Sequence, residues 1–344
     1  MIRLTPLSPL PTALLLAMLA LTSPLYAAEP VEPVEPLGIA MEEFRYPYPV
    51  QFLPVVQERE ALRMAYMDVP PAPSATANGR AVLLLHGRNF PSSYWEPTIK
   101  ALAAAGYRVV VPDQIGFGKS SKPTFAYSFD ALARNTATLL ETLGLPQVDI
   151  VGHSIGGMLA ARFTRTYPDK VRKLVLYAPI GLEDYRFYVP PVTTERLMEQ
   201  ERNLSADGYR RQLVANYSLT LPPERIEPFV EVRERIRASG EYERWLRSFV
   251  NSYHMIYAQP VAHEIPLIER PTLFIMGSND HNAPGRPFAP AAVRAEMGHN
   301  ADLAKADAAR MKDARVEVID GVGHLVHLEA EERFNETLLG FLGK

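Results

Sequence analysis

The stretch Ala81-Val82-Leu83-Leu84-Leu85 has no polar face, and that constrains the fold more than any other feature of the chain. A strand wetted on one side alternates apolar and polar residues, whereas a short continuous apolar run is typical of a parallel strand covered on both faces. Similar runs recur at Tyr107 to Val111, Val148 to Val151, Leu174 to Tyr177, Thr272 to Met276 and Val316 to Ile319. Helical patterns separate most of them, at Tyr94 to Ala105, Phe129 to Leu143, Ile155 to Tyr167, Ala301 to Lys312 and Ala330 to Leu342. This alternation implies right-handed crossovers and an α/β fold with a doubly wound, mostly parallel sheet. Functional residues in such a sheet belong at the carboxyl ends of its strands. Upstream, Gln57 to Tyr66 supports one more strand, and Asn78-Gly79 is a turn that returns the chain into the Ala81 run.

One interval breaks the alternation. Residues 185–264 contain helical segments but no strand pattern: Pro222-Pro223-Glu224 opens a helix, Ser239-Gly240 closes it, and another spans Glu241 to Tyr257. The interval is expected to be an inserted helical cap that divides the core into residues 46–184 and 265–344. Most cap aromatics should pack within the cap, with Tyr188, Tyr253 and Tyr257 as candidates for substrate contact. The Glu and Arg residues between Glu231 and Arg237 suit a solvated, salt-bridged face.

At the N-terminus, Arg3 precedes an apolar run from Ala13 to Leu21 and the small-residue zone Ser23 to Ala28. This is the pattern of a signal peptide over residues 1–28, with an apolar run shorter than the roughly 20 residues of a membrane span. A periplasmic or secreted protein with no stable membrane insertion is expected. The Pro/Glu repeat that follows implies an extended tether over residues 29–45. The formal charge of −3 gives no footprint for nucleic acid. The chain has no cysteine, which excludes disulfides, thiolate metal sites and a cysteine nucleophile. No H-E-x-x-H spacing occurs, and neither a metal nor a cofactor is expected.

Gly152-His153-Ser154-Ile155-Gly156 fits the G-x-S-x-G nucleophile elbow, with a β-branched strand pattern before it and a helical one after it. A serine hydroxyl needs a base, and the base needs an acid to hold it. Asp280 follows the Thr272 to Met276 run in Gly277-Ser278-Asn279-Asp280, and His324 follows the Val316 to Ile319 run in Gly321-Val322-Gly323-His324. The order Ser154, Asp280, His324 suits this architecture, each residue lying just past a different strand. Backbone N–H groups of Ile155 and Arg88 are the expected oxyanion donors, with Asn89 the alternative to Arg88.

Rivals exist for each role. His327 is expected to pack at a helix entrance, His86 to orient the oxyanion loop or touch substrate, and Asp113 to stabilise a turn. Glu183 is the fallback acid, while His281 and His299 bracket a loop of unassigned purpose. Gly118-Lys119-Ser120 resembles the end of a phosphate loop, but Asp113 stands where that motif needs glycine. Ser121 likewise occupies the third glycine position of a dinucleotide fingerprint beginning at Gly116.

With His86-Gly87, Asp113 to Gly118, the Ser154 elbow, Asp280 and Gly323-His324 in place, the chain resembles the α/β-hydrolase superfamily from about Val50 onward. The segment Pro112 to Ser120 is similar to that of haloalkane dehalogenases and epoxide hydrolases, whose nucleophile is an aspartate; Ser154 argues against both activities. The resemblance implies a capped serine member, a group that includes carboxylesterases, lactonases, carbon-carbon hydrolases, aminopeptidases and perhydrolases. The long, proline-rich stretch from His281 to Asn300 departs from the usual pattern. The leading expectation is a secreted serine hydrolase that cleaves small-molecule carboxylic esters through an acyl-enzyme. Hydrolysis of a carbon-carbon bond in a ring-cleavage product, lactonase or perhydrolase activity, and a non-catalytic binding protein are the alternatives.

Overall fold

The computed structural model describes residues 35–217 and 219–343. The expected signal peptide and the first part of the expected tether lie outside the described residues. The elements in chain order are β1 (Val50–Gln57), β2 (Glu60–Val69), β3 (Ala81–Leu85), α1 (Glu96–Ala104), β4 (Arg108–Pro112), α2 (Phe129–Thr142), β5 (Val148–His153), α3 (Ile155–Thr166) and β6 (Val171–Tyr177). Four helices follow, α4 (Thr194–Arg202), α5 (Ala206–Tyr217), α6 (Pro223–Arg237) and α7 (Tyr242–Ala258). The chain then returns through β7 (Thr272–Gly277), α8 (Ala291–Arg294), α9 (Asn300–Ala308), β8 (Ala314–Ile319), α10 (Val326–Glu329) and α11 (Glu331–Leu342).

The eight strands form one sheet in the order β1-β2-β4-β3-β5-β6-β7-β8. Pairing is antiparallel from β1 to β2 and from β2 to β4, and parallel from there to β8. The apolar run in β3 has the cause its composition suggests. Leu83 and Leu85 pack on one face with Phe129, Leu139, Leu159 and Phe163 of α2 and α3, while Val82 and Leu84 pack on the other with Ile99, Leu102, Phe334 and Leu338 of α1 and α11. Both faces of the strand are dry, so no polar alternation can survive along it.

Two local expectations are corrected. The strand expected over Gln57 to Tyr66 is a hairpin of β1 and β2, turning at Glu58 and Arg59, which take positive φ of 49° and 64° without a glycine or asparagine. The usual turn signal is absent there. Pro54 within β1 is tolerated because β1 is an outer strand, where a missing donor can face away from the ladder. The expected tether, in turn, ends well before residue 45. Leu37 and Met41 are buried against Ile236 of α6, Leu37 N–H donates to the Arg235 carbonyl (3.0 Å), and Lys119 Nζ donates to the Met41 carbonyl (2.5 Å). Once the Pro/Glu repeat is past, Leu37, Ala40 and Met41 supply enough apolar surface to dock the segment.

The helices α4 to α7 occupy the interval between β6 and β7. Helix α7 is fastened to the core: Asn251 Nδ2 donates to the carbonyls of Thr124 (2.9 Å) and Phe125 (2.8 Å), and Ser248 is hydrogen-bonded to Tyr127. Among the described residues, no helix is long and apolar enough to cross a membrane.

Candidate active site

Strand β5 delivers Ser154 into a turn so tight that its backbone takes φ 56° and ψ −119°, outside the regions a serine prefers. Such conformations cost on the order of 1–3 kcal/mol and survive only where the surroundings impose them. Here small residues allow the surroundings to close in. A Cβ at Gly156 would collide with the Leu85 carbonyl oxygen, and one at Gly157 would sit 2.6 Å from Pro179 Cβ. The helix α3 can therefore begin directly beneath β3, with Ile155 N–H at its N-terminus.

Across the sheet's carboxyl edge, the loops after β7 and β8 bring Asp280 and His324 together. His324 Nδ1–H donates to Asp280 Oδ2 at 2.8 Å, with both side chains almost fully buried. Asp280 is itself held, its Oδ1 accepting from Asn282 N–H (3.0 Å) and Asn300 Nδ2 (3.4 Å). This arrangement leaves Nε2 of His324 as the unprotonated nitrogen, and in this conformation the Asn282 side-chain amide donates to it at 3.3 Å. Ser154 Oγ has no hydrogen bond among the described residues. The imidazole nevertheless lies beside the elbow: the ring of His153, adjacent to Ser154, is 4.8 Å from that of His324, and His153 Nε2–H donates to the His324 carbonyl (3.0 Å).

The cap grips the same histidine. The Tyr217 ring, at the end of α5, stacks on His324 with centroids 4.9 Å apart and planes within 18°, and the Tyr217 carbonyl accepts His324 N–H at 2.8 Å. The Tyr217 hydroxyl is hydrogen-bonded to Asn89 Nδ2. These contacts tie the cap, the loop after β3 and the loop after β8 into one unit. Nothing in the residue pattern around Tyr217 or Asn282 marked them for the site.

The two expected oxyanion donors are free. Among the described residues, neither Ile155 N–H nor Arg88 N–H has an intramolecular acceptor. The direction of the Arg88 amide is set by its neighbours. His86 accepts Gln114 N–H at Nε2 (3.0 Å) and donates from Nδ1 to the Gly87 carbonyl (2.8 Å). In a trans peptide the carbonyl and the following N–H point oppositely, so pinning Gly87 C=O aims Arg88 N–H the other way. Gly87 N–H is held by the Tyr94 hydroxyl (3.0 Å), which donates in turn to His153 Nδ1 (2.8 Å). Burial lowers the His86 pKa and takes that of His153 well below the ordinary value, with the charges of His324 and His327 adding to the effect at His153. Both rings are therefore kept neutral, as these hydrogen bonds require.

A cavity of about 420 Å³ opens onto Ser154, with Arg88, Asn89, Tyr217, Tyr253 and Asn282 among its walls. Its size is that of a small-molecule site. Of the four side chains expected to touch substrate, Tyr253 lines this cavity. His86, Tyr188 and Tyr257 do not: His86 is engaged with the Gly87 carbonyl and Gln114 N–H, and Tyr257 faces away to donate to the Val189 carbonyl at 3.0 Å. Periodicity in α7 could not say which of its faces meets the cavity and which the cap core.

The rivals have other tasks. Asp113 is a turn hub that accepts from the Tyr46 hydroxyl (2.6 Å), Ser92 N–H (3.2 Å) and Lys119 N–H (2.7 Å). Glu183, its pKa raised by burial, accepts Gly298 N–H (3.0 Å), and His281 Nδ1 is paired with the Gly298 carbonyl (3.1 Å). Both fasten the long loop between β7 and α9, whose residues 281–288 form one cavity wall.

Comparison with known proteins agrees with this architecture. The profile of the α/β-hydrolase fold matches residues 80–331. The crystal structure of a probable hydrolytic enzyme from Pseudomonas aeruginosa superposes with a TM-score of 0.85 at 40% identity, covering 90% of this chain and 99% of that one. A 2-hydroxy-6-oxononadienedioate/2-hydroxy-6-oxononatrienedioate hydrolase from Burkholderia vietnamiensis is 29% identical over 303 residues, 85% of this chain and 95% of the relative. An esterase from Exiguobacterium antarcticum shares the fold, with a TM-score of 0.65 at 19% identity over 86% of this chain and 99% of that one. The chain belongs to the α/β-hydrolase fold family.

Proposed function

We propose that the protein hydrolyses a carboxylic ester through a covalent acyl-enzyme, with Ser154 as nucleophile, His324 as base and Asp280 as the group that holds the imidazole. The observation that carries this reading is a strained serine on the cavity wall beside a buried His324–Asp280 couple, 2.8 Å apart. With Asp280 fixing the proton on Nδ1, Nε2 is the nitrogen that can accept one. As substrate enters, Asn282 releases Nε2 and the serine hydroxyl takes its place. Ser154 Oγ then attacks the carbonyl carbon, its proton passing to Nε2, and the carbonyl oxygen gains a negative charge that the Ile155 and Arg88 amides receive. Collapse breaks the ester C–O bond, and Nε2–H protonates the departing alkoxide. A water molecule, deprotonated by the same nitrogen, attacks the acyl-serine to release the acid and restore Ser154.

A second reading is favoured by the Burkholderia relative, whose name describes hydrolysis of a dienedioate. Cleavage of a carbon-carbon bond in such a ketone would use the same serine, base and oxyanion site, with a stabilised carbanion as leaving group. Ser154→Ala is expected to lower turnover of 4-nitrophenyl esters at least about 10³-fold, and a fluorophosphonate should label Ser154 in the unmodified protein. Full activity in Ser154→Ala would end both readings. Turnover of a dienone acid but of no ester would select the second.

A further inference from the structure

The cavity around Ser154 is unusually rich in unpaired positive charge. Arg88, Arg286 and Arg294 all line it, and none has a carboxylate within salt-bridge distance among the described residues. Glu201 is the one carboxylate in the lining, and it is already engaged by Arg233. Arg88 is the telling case. Its guanidinium lies over the Phe249 ring (3.6 Å), Nε donates to Ser252 Oγ (2.8 Å) and Nη2 to the Phe249 carbonyl (3.0 Å). Nη1 has no acceptor among the described residues. All the partners are neutral, so the charge itself is uncompensated. Its desolvation draws the Arg88 pKa down, a drift that the more distant Glu201 only partly opposes. Arg88 is half-buried, and desolvating a cation with no carboxylate partner is costly, a cost that an arriving anion would offset.

A second donor waits beside it. Tyr253 is more than nine-tenths buried, lines the same cavity, and its hydroxyl has no hydrogen-bond partner among the described residues. That hydroxyl sits against Gly285, where a Cβ would come within 2.7 Å of it. Arg88 Nε donates to Ser252, the residue before Tyr253 on α7, and Arg88 and Tyr253 line the same cavity.

We infer that Arg88 and Tyr253 form an anion subsite, and that the substrate is an ester carrying a free carboxylate on its acyl part. Arg88 links this subsite to the reacting centre by covalent geometry. Its backbone N–H faces the carbonyl oxygen while its side chain reaches α7, so the carboxylate lies about one extended arginine side chain from the scissile carbonyl. The assignment rests on the serine-hydrolase reading and narrows it to a substrate class. Arg286 and Arg294, in the loop at the cavity wall, add positive potential that concentrates anions there.

The test compares two esters of matched shape, mono-4-nitrophenyl adipate and 4-nitrophenyl 6-methylheptanoate, by the ratio of their kcat/KM values. The unmodified enzyme should prefer the adipate half-ester. Arg88→Met should reduce that ratio on the order of 30-fold, as expected for loss of one hydrogen bond to a charged group, with Arg88→Lys in between. A role for Arg88 in merely anchoring α7 would lower both activities together and leave the ratio alone. Preference of the unmodified enzyme for the neutral ester, or an unchanged ratio in Arg88→Met, overturns the inference. Should neither ester be cleaved, the hydrolase reading fails separately, and calorimetry decides the subsite. Adipate should then bind the Ser154→Ala protein and lose that binding in Ser154→Ala/Arg88→Met; no adipate binding to Ser154→Ala overturns the subsite too.

Discussion

His327 should make the protein acid-labile, and by an amount that can be worked out. The ring is fully buried behind the site, with Tyr177 O–H donating to Nδ1 (2.8 Å) and Nε2–H donating to the Tyr94 carbonyl at 3.3 Å. It is faced by His153 and His324, and Arg225 acts on it from farther away. Burial is the main cause that pushes its pKa down to about 3; the Tyr94 carbonyl opposes this, and the charges of Arg225 and His324 assist. An unfolded histidine titrates near 6.5. The folded value lies below the unfolded one, so on acidification the unfolded chain takes the proton first. The cost is absent above pH of about 6.5 and grows as pH falls toward 3. Between pH of about 7.5 and 5, linkage removes about 2 kcal/mol of stability through this one group.

The perturbation is His327→Gln, read by reversible urea unfolding at those two pH values. The variant loses hydrogen bonds and should be less stable by about 1–3 kcal/mol near neutrality. Glutamine does not titrate, so the gap should close by about 2 kcal/mol at the lower pH. Other groups shift the absolute curves. His153 acts in the same direction, while Asp307, pushed up to about 6 chiefly by burial, acts oppositely because its folded pKa is raised. Both are present in each protein and cancel in the difference. A stability gap that is the same at both pH values would refute the reasoning, because it would mean that His327 carries the same charge folded and unfolded.

Two further outcomes follow from the geometry. Asp280→Asn replaces the acceptor of the His324 Nδ1 proton with a group whose amide can donate, which favours the wrong tautomer; kcat on an ester substrate should fall about 10³- to 10⁴-fold with the circular-dichroism spectrum unchanged, and a loss under tenfold would count against the assigned role. Gly156→Ala would press a methyl group into the Leu85 backbone carbonyl, which cannot move aside as a side chain could, and should cost about 2 kcal/mol or more in urea unfolding; a neutral result would mean that the elbow has more room than the structure gives it.

The parallel half of the sheet was legible because burial on both faces forces apolar runs, and the elbow because its glycines answer to one steric demand. Asp280 and His324 were legible by place, each one short loop past a strand end. What escaped has a common cause. Tyr217 and Asn282 reach His324 through tertiary packing that leaves no periodic trace, and the residue spacing of α7 does not distinguish Tyr253, on the cavity wall, from Tyr257, bonded to Val189. The β1–β2 hairpin was half visible because its turn at Glu58 and Arg59 uses left-handed residues of ordinary type.

The choice of the proposed base among the neighbouring imidazoles rests on their partners. His86 spends its two nitrogens on Gln114 N–H and the Gly87 carbonyl, His153 on the Tyr94 hydroxyl and the His324 carbonyl, and His327 on the Tyr177 hydroxyl and the Tyr94 carbonyl. Each has one nitrogen locked as acceptor, so protonation would set donor against donor in a dry interior. Those three rings are fitted to stay neutral. His324 differs on both sides of its ring. One nitrogen donates to the Asp280 carboxylate, and the other faces only a side-chain amide, Asn282, which the serine hydroxyl replaces in the proposed mechanism. Of the buried imidazoles described, it is the one whose partners fit the proposed base, and the three neutral ones hold it, the loop after β3 and the elbow in register.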